Sequence, residues 1–486
     1  MSARPSVVIV GGGIAGLAAA WELTGAGEGP SDSTPRVEIL EAAAQLGGAL
    51  AGADFAGRFV DLGPDGFLAR RPEAVTLARE LGLDDRLEGI AAAGASIWLR
   101  GALEPLPEGL VLGVPTDAAA LKRMRGLSWS SRWAAWRDQH APRRLAVTDD
   151  VSIGAILRTK LGSELTYQLI EPMVGGIQAG RVDQLSAAAV FPALYEAAQR
   201  GGSIMKALRG AAGPATGAAA AAAGPLFMSL TSGVGSLTGE LERQLRARGV
   251  VIRTATPATA LRSAPSSPYP WEVDTAATTT GATAVIVAAP APTAGRLTAH
   301  LDPHLAALSS VDSAGAVIVT LLFDTADTQL PPTGTGVLIP LGSEWGDDVM
   351  MTTALTFLDR KWPHLRRDGQ ILLRAHVGRI DDRRSEALGD EALSERVIGE
   401  VTTVLGRVGR PLATRVQRWP HGLPQYYVGH LDLIERARQA LAPTAIRLAG
   451  SAYDGVGIPA SIGSGRRAAR EVRDLLNVDA GGTRRA

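Results

Sequence analysis

Four consecutive apolar residues, Val7-Val8-Ile9-Val10, form the first element that the pattern predicts. A short unbroken apolar run suits a parallel strand buried on both faces. The chain then turns through Gly11–Gly16, and Leu17–Thr24 reads as a helix with small residues facing a sheet. A polar, Pro-containing loop covers Glu28–Pro35, and Val37-Glu38-Ile39-Leu40 reads as a second strand ending at Glu41. From about Pro72 to Arg209 the pattern is mostly helical. Trp129, Trp133 and Trp136 lie in an Arg-rich part of it and are expected to pack inside a helical subdomain. The Ala-rich run 211–225 is broken by Gly and Pro and reads as a linker or helix fragment. Strand-like runs return at Val250–Arg253, Ala284–Ala288 and Ala316–Phe323. Arg447–Gly450 is a further apolar run stopping at a glycine, and Ala460–Leu476 reads as the last helix.

Gly11-Gly12-Gly13-Ile14-Ala15-Gly16 fits G-x-G-x-x-G directly after a strand and before a helix. In that context Gly11 permits the tight turn, Gly13 lets the backbone approach a pyrophosphate, and Gly16 allows close packing of helix on strand. The phosphates sit on the helix N-terminus, where free N–H groups and the dipole favour negative charge. Glu41 lies 25 residues beyond Gly16, at the end of the next strand, where it accepts hydrogen bonds from a ribose and disfavours a 2′-phosphate. Elements at both ends look like one nucleotide-binding domain. The predicted fold class is α/β: a discontinuous Rossmann-type domain (1–90, 226–296 and 441–486), an inserted α+β substrate-binding domain (297–440) and a helical subdomain (91–225). A chain of 486 residues is long enough for such a division.

Composition narrows the partners. Apolar residues make up 46% and charged residues 20%, with a formal net charge of zero, so neither a nucleic-acid groove nor a strongly acidic partner is expected. Of the 49 basic residues only Lys122, Lys160, Lys206 and Lys361 are lysines, so a carboxylate-binding site should be built from Arg. Cysteine is absent, which excludes disulfides, thiolate metal sites and a flavin attached through sulfur. No metal site is expected. With no signal-like segment and no apolar run long enough to span a bilayer, a cytoplasmic protein is expected, with peripheral contact to a membrane surface left open.

Glu41-Ala-Ala-Ala-Gln-Leu-Gly47-Gly48 resembles the E-x5-G-G extension of flavin amine oxidases and their relatives, although Gln45 stands where that group carries a basic residue. Phe59–Phe67, containing Gly63-Pro64-Asp65, follows at the spacing where this superfamily brings the chain to the flavin ring. Gly450–Pro459 precedes the last helix, and Pro459 suits its first turn. The resemblance implies non-covalent FAD. It implies contacts from Gly11, Gly13, Ile14, Ala15, Gly16, Glu41, Ala42, Gly47, Gly48, Gly63, Pro64, Asp65, Ala258, Gly450, Ser451, Gly457, Ile458 and Pro459. The last helix would point its N-terminus at the pyrimidine edge of the ring.

Gly63-Pro-Asp-Gly-Phe-Leu-Ala-Arg-Arg-Pro72 resembles the GPDSF…RKP segment of the oxygen-dependent protoporphyrinogen/coproporphyrinogen oxidase family, with Gly66 in place of Ser. Gly113–Asp117, the stretch Ile170–Gly180 with Gln184–Ser186 and Phe191-Pro192, and Ala452–Pro459 are similar to further segments of that family. The matches run from the first strand to the last helix. The family resemblance implies removal of hydride from porphyrinogen methylenes to flavin N5, reoxidation by O₂ with release of H₂O₂, and no catalytic dyad. Positioning then supplies most of the catalysis. Arg70 and Arg71 become candidates for substrate carboxylates, and Ile177 and Gln178 for cavity-lining positions. Likeness to Gram-positive members favours coproporphyrinogen III, whose four propionates suit an Arg-rich cavity, with protoporphyrinogen IX as the alternative. A downstream chelatase is a candidate partner.

Two other classes stay in view. A flavin amine oxidase usually carries a Lys near the flavin on a substrate-domain strand, and Ala314–Phe323, which reads as that strand, contains none. A flavin-binding protein without turnover would keep its yellow colour when mixed with substrate in the absence of oxygen.

Overall fold

The computed structural model describes residues 4–31, 34–92, 94–143, 145, 147–211 and 224–482; most of the Ala-rich run lies outside these. Strand β1 (Ser6–Val10) is buried along its whole length, helix α1 spans Ile14–Leu23, and strand β2 spans Arg36–Leu40. They belong to a five-stranded parallel sheet. Its order is Val251–Arg253, β2, β1, Ala284–Val287, Ile446–Leu448. Three distant parts of the chain therefore build one Rossmann-type sheet. Connections leave β1 towards opposite edges, so a crevice opens beyond its carboxyl end, where such folds bind ligands.

The last helix, Ile458–Gly482, closes this unit by lying on α1. A Cβ at Gly465 would stand 2.0 Å from the Ala15 carbonyl oxygen, so the approach depends on glycine. Ile462, Ala468, Ala469 and Val472 join Leu17, Ala18 and Trp21 in the same core.

A second, seven-stranded sheet has the order Ala413–Pro424, Ser313–Asp324, Gln370–Val377, Thr352–Phe357, Gly336–Leu338, Ser96–Leu99, Ala102–Pro105. Helix Asp390–Leu405 covers it with Leu393, Val397, Val401 and Val404. Two of its strands come from the stretch read as helical. Residues 87–115 form short strands of two to four residues, too brief and too broken by Gly and Pro to show a period of two. The helical portion proper begins at Trp129 and has its own core, including Ile156, Leu157, Leu165, Leu169 and Leu194.

The tryptophan expectation is corrected. In helix Trp129–His140 the side chains of Trp129, Trp133 and Trp136 are 75%, 45% and 50% exposed. The buried face belongs to Ser131, Ala134, Ala135 and Asp138, because small side chains permit the close approach of neighbouring helices.

His376 lies on the strand Gln370–Val377, with Nε2 3.3 Å from Thr356 Oγ1. Burial, then the Arg374 charge, push its imidazole down to about 4. A histidine whose folded pKa is depressed stabilises the fold fully above its unfolded pKa, and that contribution is lost as pH falls through the folded value. Between about pH 6.5 and pH 4 the wild type should therefore lose up to about 3 kcal/mol that His376→Gln does not lose. Urea midpoints of both proteins at pH 7 and pH 4.5 measure the difference; parallel acid losses would contradict it.

Candidate active site

The glycines after β1 have separate reasons to be glycine. Gly11 has φ +109° and faces the Ala288 carbonyl oxygen, which a Cβ would approach to 2.4 Å. A Cβ at Gly16 would stand 2.0 Å from the Gly11 oxygen. Gly13 differs from both, because its φ is −70° and an added Cβ would meet nothing within 4 Å. Neither strain nor protein packing demands glycine there. The space beside it suits a ligand approaching the backbone.

That space is bounded by phosphate-binding geometry. No side chain caps α1, and its first internal bond runs from the Leu17 N–H to the Gly13 carbonyl at 3.0 Å. The N-terminal turn, with buried Ile14 and Ala15, therefore offers free N–H groups. Gly47 pairs with Gly13 as an isolated parallel bridge, and its N–H donates to the Gly12 carbonyl at 2.9 Å. Gly48 (φ +59°) would place a Cβ 3.6 Å from the Gly13 Cα. The predicted second glycine pair thus forms the opposite wall. Glu41 accepts hydrogen bonds from the N–H groups of Gly12 (2.6 Å) and Ala43 (2.7 Å), fixing its carboxylate at the end of β2 with acceptor capacity to spare. Ala42 is exposed beside it. Ala258 opens the strand Ala258–Ser263, two residues beyond Thr256, whose N–H donates to the Glu41 carbonyl at 2.8 Å.

The C-terminal segment arrives on the far side. Gly450 (φ +125°) donates its N–H to Ser464 Oγ at 2.9 Å, and Ser451 starts the short helix Ser451–Asp454. Asp454 accepts from Arg438 (2.6 Å), Arg467 (2.9 Å) and the Ser464 hydroxyl. Burial alone would raise its pKa, but these partners hold it below the usual carboxylate range. Gly457 (φ +109°) then turns the chain into the last helix, with Ile458 and Pro459 buried in its first turn.

The Gly63–Phe67 segment links the two sheets. Gly63 sits so close to Ala49 that a Cβ would be 2.0 Å from its carbonyl oxygen. Its own oxygen accepts from Arg374 Nη1 at 2.9 Å, while Arg374 Nη2 donates to the Asp61 oxygen. Trp419 Nε1 donates to the Leu62 oxygen at 2.9 Å. Pro64 is exposed, and Asp65 is gripped by Lys361 Nζ (2.9 and 3.1 Å) and Trp362 Nε1 (3.0 Å). Burial would raise the Asp65 pKa, but the Lys361 and Arg374 charges and these hydrogen bonds reverse that and hold it well below the usual range. Sequence reasoning missed all four side chains from the second sheet region. The strand Ser313–Asp324 indeed lacks lysine, yet Lys361 stands beside the Gly63–Phe67 segment from another element.

The substrate candidates separate. Arg71 precedes the helix Pro72–Glu80 and pairs with Glu73 at 2.8 Å, while Arg70 is exposed. Ile177, at the end of helix Glu171–Gln178, is 47% exposed, whereas Gln178 is buried and its carbonyl accepts from Gln425 Nε2 at 2.8 Å. The neighbouring Tyr426 hydroxyl donates to the Ser451 carbonyl and accepts from the Gly455 N–H at 3.1 Å. The helix Glu171–Gln178 is thereby tied to the C-terminal segment Ser451–Gly455.

Residues 14–473 match the family of flavin containing amine oxidoreductases. The chain belongs to that family. A coproporphyrinogen III oxidase of Bacillus subtilis (strain 168) is 33% identical over 97% of this chain and 99% of its own length. A protoporphyrinogen oxidase of Bos taurus is 30% identical over 96% and 98%. A solved structure from Exiguobacterium sp. 255-15, assigned as a protoporphyrinogen oxidase, aligns with a TM-score of 0.83 and 31% identity over 98% of this chain and 100% of that one. This member of the flavin amine oxidoreductase family is an oxidase with FAD as its cofactor, and the open cradle at Gly13 and the uncapped helix fit that cofactor. Among the described residues no cluster could hold a metal ion, and no helix is long and apolar enough to cross a membrane.

Proposed function

We propose that this enzyme oxidises coproporphyrinogen III to coproporphyrin III in haem biosynthesis, in the cytoplasm, with dioxygen as the final acceptor. The observation that carries the reading is the end-to-end likeness to the Bacillus subtilis enzyme, 33% over 97% of this chain. Two of the segments resembling porphyrinogen oxidases, Ile170–Gly180 and Ala452–Pro459, are also held by neighbouring residues, Gln425 and Tyr426.

In this proposal Gly13 leaves room for the pyrophosphate of FAD, Gly11, Gly16, Gly47 and Gly48 shape the backbone around it, and the first turn of α1 donates to it. Glu41 holds the ribose. FAD held by these residues would supply a hydride acceptor for the substrate methylenes, with dioxygen as the final oxidant reduced to H₂O₂. Lys361, Trp362, Arg374 and Trp419 act as positioning residues: they fix the backbone of residues 61–65 between the cofactor domain and the seven-stranded sheet. The pyrrole nitrogens stabilise the substrate cation themselves, so the chain has to orient the substrate rather than exchange protons with it.

Purified holoenzyme mixed in air with coproporphyrinogen III and, separately, protoporphyrinogen IX tests the substrate. Porphyrin fluorescence should rise above a boiled control, and faster with coproporphyrinogen III. Faster oxidation of protoporphyrinogen IX would favour the second reading, which the bovine relative supports. Amine oxidation draws support only from the family at large.

A further inference from the structure

Arg379 follows the strand Gln370–Val377 and is only 4% exposed. Among the described residues its buried Nη1 has no hydrogen-bond partner. The acids whose charge reaches it are engaged elsewhere: Glu171 and Asp381 with Arg181, each at 2.7 Å, and Asp382 with Arg384 at 2.7 Å. Burial is the largest influence on the guanidinium and acts to lower its pKa, as for a cation short of compensating anions. A buried cation left uncompensated is costly, and a charge-assisted bidentate partner removes that cost.

The surroundings show where that partner would come from. Nη1 lies 3.2 Å from the Cβ position of Gly175, and the adjoining Gly176 faces open space. Ile177 is exposed next to it, and the Oε1 atoms of Gln178 and Gln425 are buried without partners. The Ile380 N–H donates to the Ala179 carbonyl at 2.8 Å, which fixes the Arg379 backbone against this turn. Gln425 and Tyr426 connect the same place to the Ser451–Gly455 loop of the cofactor cleft. A buried guanidinium with an unpartnered Nη1 thus stands against the C-terminal end of the helix Glu171–Gln178.

We propose that Arg379 anchors one propionate carboxylate of the tetrapyrrole substrate, with Gly175 and Gly176 kept small to admit it. The inference rests on the porphyrinogen reading above. It also separates two kinds of arginine. Both terminal nitrogens of Arg374 are taken by the Asp61 and Gly63 carbonyls and serve the scaffold, whereas Nη1 of Arg379 is left for a ligand.

The test compares wild type, Arg379→Gln and Arg379→Lys as holoenzymes. The Gln variant should raise KM for coproporphyrinogen III by about ten- to hundred-fold, the loss of one charged hydrogen-bonded contact, with kcat changed far less. Lysine keeps the charge without the fork and should recover part of the affinity. Binding of coproporphyrin III, followed by its fluorescence, should weaken in parallel, whereas binding of its tetramethyl ester should be equal in all three proteins. Unchanged KM and coproporphyrin III binding in Arg379→Gln would overturn the proposal, as would an equal loss for acid and ester. Should the Gln variant lose flavin or melt early, the Lys variant carries the same comparison of acid with ester. Wild type that turns over neither porphyrinogen would instead defeat the functional reading, while the binding comparison would still judge the subsite.

Discussion

Gly16→Ala should give a protein that purifies without flavin and melts well below wild type. Its new methyl would lie 2.0 Å from the Gly11 carbonyl oxygen and 3.3 Å from the Ala288 Cβ. Both obstacles belong to the β1–α1 turn and the adjacent strand, so relief requires moving α1 off the sheet. Overpacking of a rigid backbone contact costs about 1–3 kcal/mol or more, and here it also displaces the N–H groups that would meet the phosphates. Gly13→Ala provides the contrast. Its methyl meets nothing within 4 Å and its φ is ordinary, so the apoprotein should melt with wild type. The same methyl enters the space assigned to the pyrophosphate, so FAD affinity should fall. Flavin absorbance of the purified proteins and melting of their apo forms measure both effects. Early melting of apo Gly13→Ala would mean that this glycine serves the fold alone.

The second large effect is expected at Arg374, one of the most deeply buried charged residues at 1% exposure. It spans from the seven-stranded sheet to the Asp61 and Gly63 carbonyls and lends its charge to hold Asp65 ionised. Arg374→Met keeps most of the volume but leaves two buried carbonyls without their donor and the Asp65 carboxylate without that charge. Removing one partner of a buried charged network costs about 3–5 kcal/mol. The urea midpoint should fall accordingly, and flavin should be released at lower urea than in wild type, because the Gly63–Phe67 segment loses its hold. A loss below about 1 kcal/mol would show that Lys361, Trp362 and Trp419 suffice.

The nucleotide cleft was legible because its signals are local. The apolar run of β1, the glycine spacing and Glu41 lie within one βαβ unit, although the contact that constrains Gly11 comes from Ala288, far along the chain. Even the distant end could be read, since Gly450–Pro459 announces a turn before a helix. The contacts that hold residues 61–65 arrive instead from Lys361, Trp362, Arg374 and Trp419, about 300 residues onward. Their pairing depends on the register of antiparallel strands, which no local pattern encodes. One signal was available: an arginine in the middle of Ile371-Leu-Leu-Arg-Ala375 is a cation inside an apolar strand and must find buried partners. The tryptophans misled for the opposite reason. Their size suggested a core, but the small residues between them occupy the packed face of the helix.

Anaerobic mixing of the yellow holoenzyme with coproporphyrinogen III tests the central claim most directly. The account predicts that the flavin bleaches on mixing, each flavin taking up two of the six electrons the porphyrinogen must lose, and that the yellow colour returns and coproporphyrin fluorescence appears when air is admitted. A flavin that stays yellow through the mixing, with no porphyrin formed above a boiled control once air is admitted, would contradict it.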